Sequence, residues 1–394
     1  MKCLKTVYWL VCFFIKRMLL HFYWLFPVKK NQFYFDSFYG RSFSCSPKYL
    51  YDFLIKTGIA QKKNCYWSAS VNANGFDCVE KENCCIPYNR KTIKTIMTSQ
   101  FIIVNTDIPP AIPLRKNQIL INTWHGGGAY KKGGLDNPVE NTFLNRIFSR
   151  FRVKQTSFIL ASCERFAQVM KTSWRIKDSD GVSFIPCGMP RNDILFSIDF
   201  DVKKLRSTLG VAESDFVVLY APTFRTVDKI QQNVPIHFDL EKIGKAFEHR
   251  FGKTIRFLFR SHYYFTGQKN VQNDSVIDVT NYSDMQELLL ISDVLVTDYS
   301  SSIWDFSFLN RPCFLYCPDY DSYYSERGFY TPIKDWPGIL VKNDDEFAKS
   351  IESFDEVAFA EKIKKHHGAC HSYENGTACC QVAELIKSNM EIEK

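Results

Sequence analysis

One stretch of the sequence places several hydroxyl residues directly after a short apolar run. The run Val294-Leu-Val-Thr-Asp298 leads into Tyr299-Ser300-Ser-Ser302, and a helix-like pattern follows. A strand that enters a helix at these serines presents unpaired backbone N–H groups and the positive end of the helix dipole at one place. Such a place suits a phosphate group. A carboxylate would repel that phosphate, so Asp298 is expected to orient a neighbouring side chain or to cap the backbone.

A histidine on a glycine-rich turn forms a second candidate site. Trp124-His125-Gly126-Gly127-Gly128 follows the apolar run 119–123, and the glycines let the backbone approach a ligand closely. His125 could act as a general base, because a histidine ordinarily titrates near neutral pH. A structural histidine on a purely steric turn is the alternative. Together the two segments suggest that one half of the chain holds a phosphorylated substrate and the other half supplies the histidine.

Two further apolar runs end in residues that could bind phosphate. The first is followed by Thr223 and Arg225, and the second by Arg260-Ser-His262. A threonine hydroxyl and a two-pronged guanidinium match the geometry of a phosphate group. Each of these residues taken singly could be surface decoration. Together with the serines after Asp298 they predict a cationic, hydroxyl-rich site.

Length and composition indicate a folded chain with room for two domains. The 394 residues are 45% hydrophobic and 23% charged, and both values are typical of globular proteins. Fifty Lys and Arg residues against 42 Asp and Glu residues give a formal charge of +8, which favours an anionic partner. The sequence has no long basic run, zinc-finger spacing or RNA-binding aromatic motif. We therefore expect no nucleic-acid binding.

The fourteen cysteines do not indicate a disulfide scaffold, because that inference belongs to small secreted chains. Several of them, such as Cys187, Cys313 and Cys317, lie inside apolar runs, where a free cysteine acts as a small hydrophobic residue. We expect reduced thiols. Metal binding by neighbouring cysteines is the alternative, but no pair of C-x-x-C motifs supports it.

The first 30 residues are apolar, aromatic and basic. Lys16 and Arg17 interrupt the apolar run, so no uncharged span of about 18 residues remains to cross a membrane. No small-residue cleavage site follows, which argues against a removable signal peptide. Lysines that flank Trp9, Phe14 and Trp24 favour an amphipathic helix lying in the surface of an anionic leaflet. The alternative is that this segment packs on the body of the protein.

The rest of the chain alternates short apolar runs with helix-length amphipathic segments. This alternation is typical of βα units and parallel sheets, so the sequence predicts two doubly wound α/β domains. The boundary is expected between Gly188 and Asp215, where turn and N-cap residues cluster. The predicted ranges are 1–30 for the membrane-surface segment, 31–200 for an N-terminal acceptor domain and 201–394 for a C-terminal donor-nucleotide domain.

Five ordered blocks of the sequence resemble one known family. The longest block runs from Asp278 to Pro312 and contains Asp298-Tyr-Ser-Ser-Ser-Ile-Trp-Asp305; the other blocks are Trp124-His-Gly126, Gly188-Met-Pro-Arg-Asn-Asp193, Tyr220-Ala-Pro-Thr-Phe-Arg225 and Arg260-Ser-His262. These blocks, with an opening segment near Phe35-Asp-Ser-Phe-Tyr-Gly-Arg41, are similar to the CDP-glycerol glycerophosphotransferases of teichoic-acid synthesis. The resemblance covers roughly residues 32–340.

This resemblance implies a type B glycosyltransferase-like fold, with two Rossmann-like domains facing a cleft, at the cytoplasmic membrane face. It also implies peripheral attachment and no metal or other cofactor. His125 would be the base for the acceptor hydroxyl, and His262 would steady the donor phosphates with support from Asp298. The residues expected to bind substrates are Gly126, Gly127, Arg191, Thr223, Arg225, Arg260, Ser300 and Ser301. The chain departs from the common family pattern at Gly127-Gly-Ala129, which leaves the acceptor and the polyol open.

The implied reaction is the transfer of a polyol phosphate, most simply glycerol phosphate, from a CDP-activated donor. An acceptor hydroxyl on a glycan, a lipid-linked chain or a growing polyol-phosphate chain would attack the β-phosphorus, and CMP would leave. Two alternatives remain at this point: a nucleotide-sugar glycosyltransferase of the same fold, and a membrane-associated binding protein without turnover. The sequence also leaves open the number of units transferred and the oligomeric state.

Overall fold

The computed structural model describes residues 2–71, 73, 75–223, 237–261 and 275–391. Within these residues the chain forms thirteen α-helices and thirteen β-strands. The strands are β1 Lys29–Asp36, β2 Cys65–Ser68, β3 Cys84–Cys85, β4 Ser99–Val104, β5 Ile119–Asn122, β6 Phe158–Leu160, β7 Ser183–Ile185, β8 Phe216–Tyr220, β9 Ile255–Phe259, β10 Val276–Asp278, β11 Val294–Thr297, β12 Cys313–Tyr316 and β13 Ile339–Val341. The helices are α1 Lys2–Leu20, α2 Cys45–Lys56, α3 Arg90–Thr98, α4 Phe143–Gln155, α5 Glu164–Ser173, α6 Val202–Thr208, α7 Leu240–Phe251, α8 Met285–Ile291, α9 Ser302–Ser307, α10 Tyr320–Arg327, α11 Asp344–Glu352, α12 Glu356–Cys370 and α13 Ala378–Glu391.

The described chain divides into two compact units. The first contains Met1–His125, Lys132–Asp193 and Ser372–Lys394, and the second contains Gly126–Lys131 and Ile194–His371. The chain passes from the first unit to the second after Asp193. Two segments lie outside the unit of their sequence neighbours: Gly126–Lys131 and Ser372–Lys394. Neither placement was expected, because the local sequence of a glycine-rich turn or of a last helix does not indicate which unit it packs on.

The first unit is built on a parallel sheet with the strand order β3-β2-β1-β4-β5-β6-β7. Helices cover both faces of the sheet, as the alternating pattern predicted. Phe33 and Phe35 pack on one face, where Leu54 of α2 and Ile386 of α13 join them. Tyr34 packs on the opposite face, as expected from the two-residue period of a strand. The C-terminal helix therefore belongs to the first unit, which differs from the predicted range 201–394.

The second unit is built on a six-stranded parallel sheet with the order β10-β9-β8-β11-β12-β13. Numbered within the unit, this order is 3-2-1-4-5-6, the arrangement of dinucleotide-binding domains. Strands β8, β11 and β12 are buried over their whole length, which explains their continuous apolar sequences. In such a sheet the strand order reverses between the first and fourth strands, and ligands bind beside the carboxyl ends of the strands there. The structure thus confirms the predicted α/β fold class of two Rossmann-like units.

The N-terminal helix α1 packs one face on the first unit. Phe13 and Leu20 are buried in a core cluster of that unit, and Phe13 lies 4.9 Å from the ring of Phe148. Arg17 Nη1 donates a hydrogen bond of 2.9 Å to the carbonyl of Pro110. Other apolar side chains of α1 and of the turn that follows it are exposed: Tyr8, Trp9, Val11, Phe14, Ile15, Met18, Leu19, Phe22 and Leu25. None of the helices in the described residues is long and apolar enough to cross a membrane.

Candidate functional site

His125 lies just beyond strand β5 in the first unit. Its Nδ1 is 2.8 Å from the carbonyl oxygen of Asn105, which follows strand β4. A carbonyl can only accept a hydrogen bond, so Nδ1 carries the proton and the lone pair of the neutral ring lies on Nε2. This arrangement fixes both the tautomer and the orientation that a general base requires.

The backbone before His125 is strained, and aromatic rings hold the imidazole. Trp124 has a positive φ of 54°, which a bulky residue rarely adopts. The Trp124 ring stacks on the His125 ring with centroids 4.8 Å apart, and its own edge meets Trp174. Phe38 approaches the imidazole edge-on, at 5.8 Å between centroids. Strain of this kind is commonly retained where it positions a functional group.

Asn105 joins the ends of three strands beneath the histidine. Its Oδ1 accepts a hydrogen bond of 2.9 Å from the backbone N–H of Phe38, and its Nδ2 donates to Ser37 Oγ at 3.2 Å. Both partners follow β1, so Asn105 links β1, β4 and β5 at the point where the strand order reverses. Asn105 was not among the residues predicted from the sequence, although a polar residue directly after a buried strand is a usable signal.

The glycine-rich segment Gly126–Lys131 belongs to the second unit. A Cβ atom on Gly127 would lie 2.0 Å from Cδ1 of Trp304, which is fully buried in α9. Only glycine therefore fits at this position without moving the tryptophan. The Tyr130 ring packs on Trp336 at 4.5 Å, and its hydroxyl is 3.0 Å from His366 Nε2. These contacts fix the segment that follows the histidine.

Asp298 and Thr223 form a hydrogen-bonded pair at the carboxyl ends of β11 and β8. The backbone N–H of Thr223 donates to both carboxylate oxygens, at 3.0 and 2.9 Å, and the Thr223 hydroxyl donates to Oδ1. The N–H of Tyr299 donates to the same carboxylate at 2.5 Å. Asp298 is 3% exposed. Asp298 therefore accepts hydrogen bonds from the local backbone, which is one of the two roles expected for it, and it holds the residues after β8 that include Thr223.

Arg260 follows β9 on the same edge of the second sheet. Its Nη2 is 3.5 Å from the carbonyl of Ser283, while its buried Nη1 has no hydrogen-bond partner among the described residues. Burial lowers the pKa of the guanidinium to about 10, and Asp284 partly opposes this shift. The group is still a cation at neutral pH. A buried, unsatisfied and charged donor is a feature that an anionic ligand would relieve.

The serines after β11 are arranged around one hydroxyl. Ser300 Oγ accepts hydrogen bonds from the backbone N–H and the hydroxyl of Ser302, at 3.2 and 3.0 Å. Ser301 precedes helix α9, which has only six residues, and its side chain makes no capping hydrogen bond. The strand-to-helix transition predicted from the sequence is present. Because the helix is short, the serine hydroxyls and not the helix dipole are the main polar groups at this strand end.

The structure separates the predicted residues by unit. His125 and Arg191 are in the first unit; Gly126, Gly127, Thr223, Arg260, Asp298, Ser300 and Ser301 are in the second. Arg225 and His262 lie outside the described residues. Arg191 is 2% exposed, and its guanidinium lies 3.7 Å from Cys45 Sγ. Its surroundings are thus the interior of the first unit, at the start of α2, and not the edge of the nucleotide-type sheet.

The cysteines whose side chains the structure describes are all free thiols. Burial raises the pKa of the Cys65 thiol to about 12. No group of three or more His, Cys, Asp and Glu side chains within the described ranges is placed to hold a metal ion. The cysteine pairs considered as metal ligands therefore form no such group with one another or with these residues.

Comparison with known proteins identifies the family. Residues 18–388 match the family CDP-Glycerol:Poly(glycerophosphate) glycerophosphotransferase. A teichoic acid glycerol-phosphate transferase of Staphylococcus aureus is 28% identical, over 91% of this chain and 93% of that protein. A teichoic acid poly(glycerol phosphate) polymerase of Bacillus subtilis is 29% identical, over 83% of this chain but only 44% of its own length. The chain is a two-unit α/β enzyme, and it belongs to this glycerophosphotransferase family.

A solved structure agrees with this assignment. The wall teichoic acid polymerase TagF is 26% identical and superposes with a TM-score of 0.78, covering 100% of this chain and 98% of that one. The resemblance inferred from the five sequence blocks is therefore confirmed across both units.

Proposed function

We propose that this chain transfers glycerol phosphate from CDP-glycerol to a hydroxyl group of a teichoic-acid-type acceptor and releases CMP. The family match and the glycerol-phosphate transferase among its relatives support this donor and this reaction. The observation that carries the proposal is the hydrogen bond from His125 Nδ1 to the Asn105 carbonyl, which leaves Nε2 as the basic atom of the ring.

The proposed step is a direct displacement at phosphorus. His125 Nε2 takes the proton from the acceptor hydroxyl, and the acceptor oxygen bonds to the β-phosphorus of CDP-glycerol. The bond from that phosphorus to the bridging oxygen breaks, and CMP leaves with the bonding electrons. A well-placed general base contributes a factor of about 10² to 10⁴ to such a rate. Positioning and charge stabilisation supply the rest.

The second unit is proposed to hold the donor phosphates. Arg260 offers a charged donor that no described residue satisfies, and the hydroxyls of Ser300 and Ser301 follow strand β11 on the same sheet. Asp298 acts on this site by holding Thr223, whose backbone and hydroxyl it binds. Arg225 and His262, which follow β8 and β9 in the sequence, are proposed to complete the phosphate contacts on the strength of the sequence alone.

A donor panel tests the reaction. The purified full chain, supplied with a membrane fraction as acceptor source, is incubated with CDP-glycerol, CDP-ribitol and UDP-sugars, and the released nucleotide is identified. We expect CMP from CDP-glycerol. Release of UDP from a nucleotide sugar would instead make the chain a glycosyltransferase. Tight CDP-glycerol binding without turnover on any acceptor would make it a binding protein.

We also propose that α1 attaches the chain to the cytoplasmic surface of an anionic membrane. Trp9 of α1 and Phe22, two residues after its end, are 60% and 67% exposed. Changing both residues to Ser should reduce binding to vesicles that contain anionic lipid, and raised salt should weaken the remaining binding. Ile198→Ser, at a 98% exposed position in the second unit, is the matched control. Equal losses from both variants would contradict attachment through α1.

A further inference from the structure

Two adjacent histidines of helix α12 take no direct part in the proposed reaction. His366 is 5% exposed, and His367 is partly buried in the same unit. Successive residues of a helix point about 100° apart, so the two rings can reach different neighbours. Buried polar groups are normally hydrogen-bonded, and the partners show what such a group holds in place. Here the partners belong to two segments of the candidate site.

His366 holds the glycine-rich segment through Tyr130. Its Nδ1 is 2.7 Å from the carbonyl oxygen of Asp335, which can only accept, so Nδ1 carries the proton. Burial disfavours a charged ring, so the lone pair on Nε2 accepts the hydroxyl proton of Tyr130 at 3.0 Å; Cys370 Sγ lies 3.7 Å from the same nitrogen. Tyr130 is 3% exposed and lies in the segment that directly follows His125. The hydrogen bond therefore restrains the chain next to the proposed base.

His367 holds helix α9 through Ser307. Its Nε2 is 2.7 Å from Ser307 Oγ. The Ser307 hydroxyl donates its single proton to the carbonyl of Trp304 at 2.6 Å, so Nε2 of His367 is the donor in the second hydrogen bond. Burial, with a smaller contribution from His366, lowers the pKa of the His367 imidazole to about 4, so this ring is neutral at pH 7. The two adjacent rings are thus opposite tautomers.

Both histidines also contact Trp304. Its ring centroid lies 5.3 Å from that of His367 and 6.1 Å from that of His366. The backbone N–H of Trp304 donates to the carbonyl of Ser301 at 3.0 Å, and a Cβ atom on Gly127 would overlap the tryptophan ring. Helix α12 is therefore bonded both to the segment that follows the base and to the helix that follows the serines proposed to bind the donor phosphates.

We propose that His366 and His367 are positioning residues of the transfer reaction, with opposite tautomers and different tasks. His366 fixes the chain that follows the base, and His367 fixes the helix that follows the donor serines. This inference rests on the proposed transferase function and extends it to residues that act through their neighbours. Precise placement matters at both positions, since a displacement of about 1 Å can lower a rate about 10²-fold.

Kinetics of the full chain distinguish the two tasks. Tyr130→Phe and His366→Asn should each lower kcat about tenfold and leave the KM for CDP-glycerol unchanged. His366→Gln should recover part of the rate, because its amide oxygen can accept from Tyr130. His367→Leu should instead weaken CDP-glycerol binding about fivefold in calorimetry, and His367→Gln, which keeps a donor, should bind more tightly than His367→Leu. Tyr316→Phe is the control, because it removes the hydroxyl of another buried tyrosine of this unit, 2.7 Å from Asp344 Oδ1.

The effect of Tyr130→Phe should depend on the base. Added to His125→Ala, it should lower the residual rate no further, because the group that it positions is already absent. An equal proportional loss in both backgrounds, or a Tyr130→Phe protein that behaves like Tyr316→Phe, would overturn the role of His366. If the His366 and His367 variants change kcat and donor affinity alike, the division of tasks is wrong.

Nitrogen NMR tests the tautomers without any reaction. In the full chain with isotope-labelled histidines, the His366 ring should carry its proton on Nδ1 and the His367 ring on Nε2. The two signals are assigned by their loss in the His366→Gln and His367→Gln proteins. The same tautomer in both rings, or a charged ring at pH 7, would overturn the arrangement. A wild type that binds CDP-glycerol but releases no CMP would overturn the proposed function and the role of His366 in the rate, whereas calorimetry of His367→Leu would still decide the role of His367.

Discussion

The two parallel sheets share a strand order but differ in the groups at their carboxyl ends. In the first unit this edge carries His125, Asn105 and the carboxylates of Asp36 and Asp107. In the second unit it carries a guanidinium with a donor that the described part of the chain leaves unsatisfied, serine hydroxyls and the pair of Asp298 with Thr223. One edge suits a neutral hydroxyl and its proton, and the other suits an anion.

This difference shows how one architecture supports two roles. The strand order decides where polar groups collect, because helices cover the remaining sheet surface and leave the carboxyl ends accessible. The side chains at those ends decide which charge is accepted there. The proposed reaction needs both roles: a base for the acceptor and cations for the donor phosphates.

Removal of the base should have the largest effect. His125→Ala should lower transfer by a factor of about 10² to 10⁴, because no other group at that position can take the acceptor proton. CDP-glycerol affinity, measured by calorimetry, should be retained. His249→Ala, at an exposed position on α7, is the control for histidine loss. Near-normal turnover by a folded His125→Ala protein would assign the histidine a structural role.

Removal of the Arg260 guanidinium should mainly weaken donor binding, whereas removal of His125 should mainly lower the rate. Arg260→Ala should weaken CDP-glycerol binding by about 1.5–3 kcal/mol, the usual size of a charged hydrogen bond, and Arg260→Lys should recover only part of it. Arg256→Ala, near the amino end of β9 and therefore away from this edge, should retain donor affinity. If Arg260→Ala binds donor like the wild type, the anion site lies elsewhere.

Gly127→Ala tests whether the segment after the histidine depends on the second unit. The new Cβ would overlap buried Trp304, so we expect a loss of about 1–3 kcal/mol in unfolding free energy and reduced transfer. Gly133→Ala is the matched control, since no atom lies within 4 Å of its Cβ position. Adding Trp304→Phe to Gly127→Ala should restore part of the loss. An additive double variant would contradict the proposed steric contact.

The partly buried carboxyl group of Asp107 should make the unfolding free energy depend on pH. The pKa of Asp107 is raised to about 6 from 3.8, so between these values the folded protein binds more protons than the unfolded chain. Its contribution therefore lowers stability as pH rises from about 4 to about 6. In urea unfolding, the unfolding free energy of Asp107→Asn minus that of the wild type should be about 1–3 kcal/mol larger at pH 7 than at pH 4. A pH-independent difference from the wild type would contradict this assignment.

Chelation of divalent cations should have the smallest effect. In the second unit Arg260 and its neighbouring hydroxyls are proposed to neutralise the donor phosphates themselves. Activity should therefore persist in EDTA at a level close to that of the untreated enzyme. A complete loss that Mg²⁺ or Mn²⁺ restores would show that the protein cations are insufficient, and it would weaken the contrast between the two edges.

The sequence by itself determined the fold class, the family and most of the strands of the two sheets. Buried parallel strands are continuous apolar runs, and their ends are marked by abrupt polar residues such as Thr223, His125 and Asp298. These are local signals, because each depends on a few consecutive residues. Strand β3, with two residues, is too short to carry such a signal.

The tertiary structure decided everything that depends on a distant partner. It placed α13 with the first unit, Gly127 against Trp304, and one face of α1 on the core. The fold also brings Asp36 and Asp107, which follow strands β1 and β4, to one cavity. An amphipathic pattern indicates that one face of a helix will be buried, but it does not indicate which element will cover that face. In the same way, the sequence around a loop carboxylate does not indicate which side chains will lie next to it. Such contacts join residues far apart in sequence, and only the folded chain brings them together.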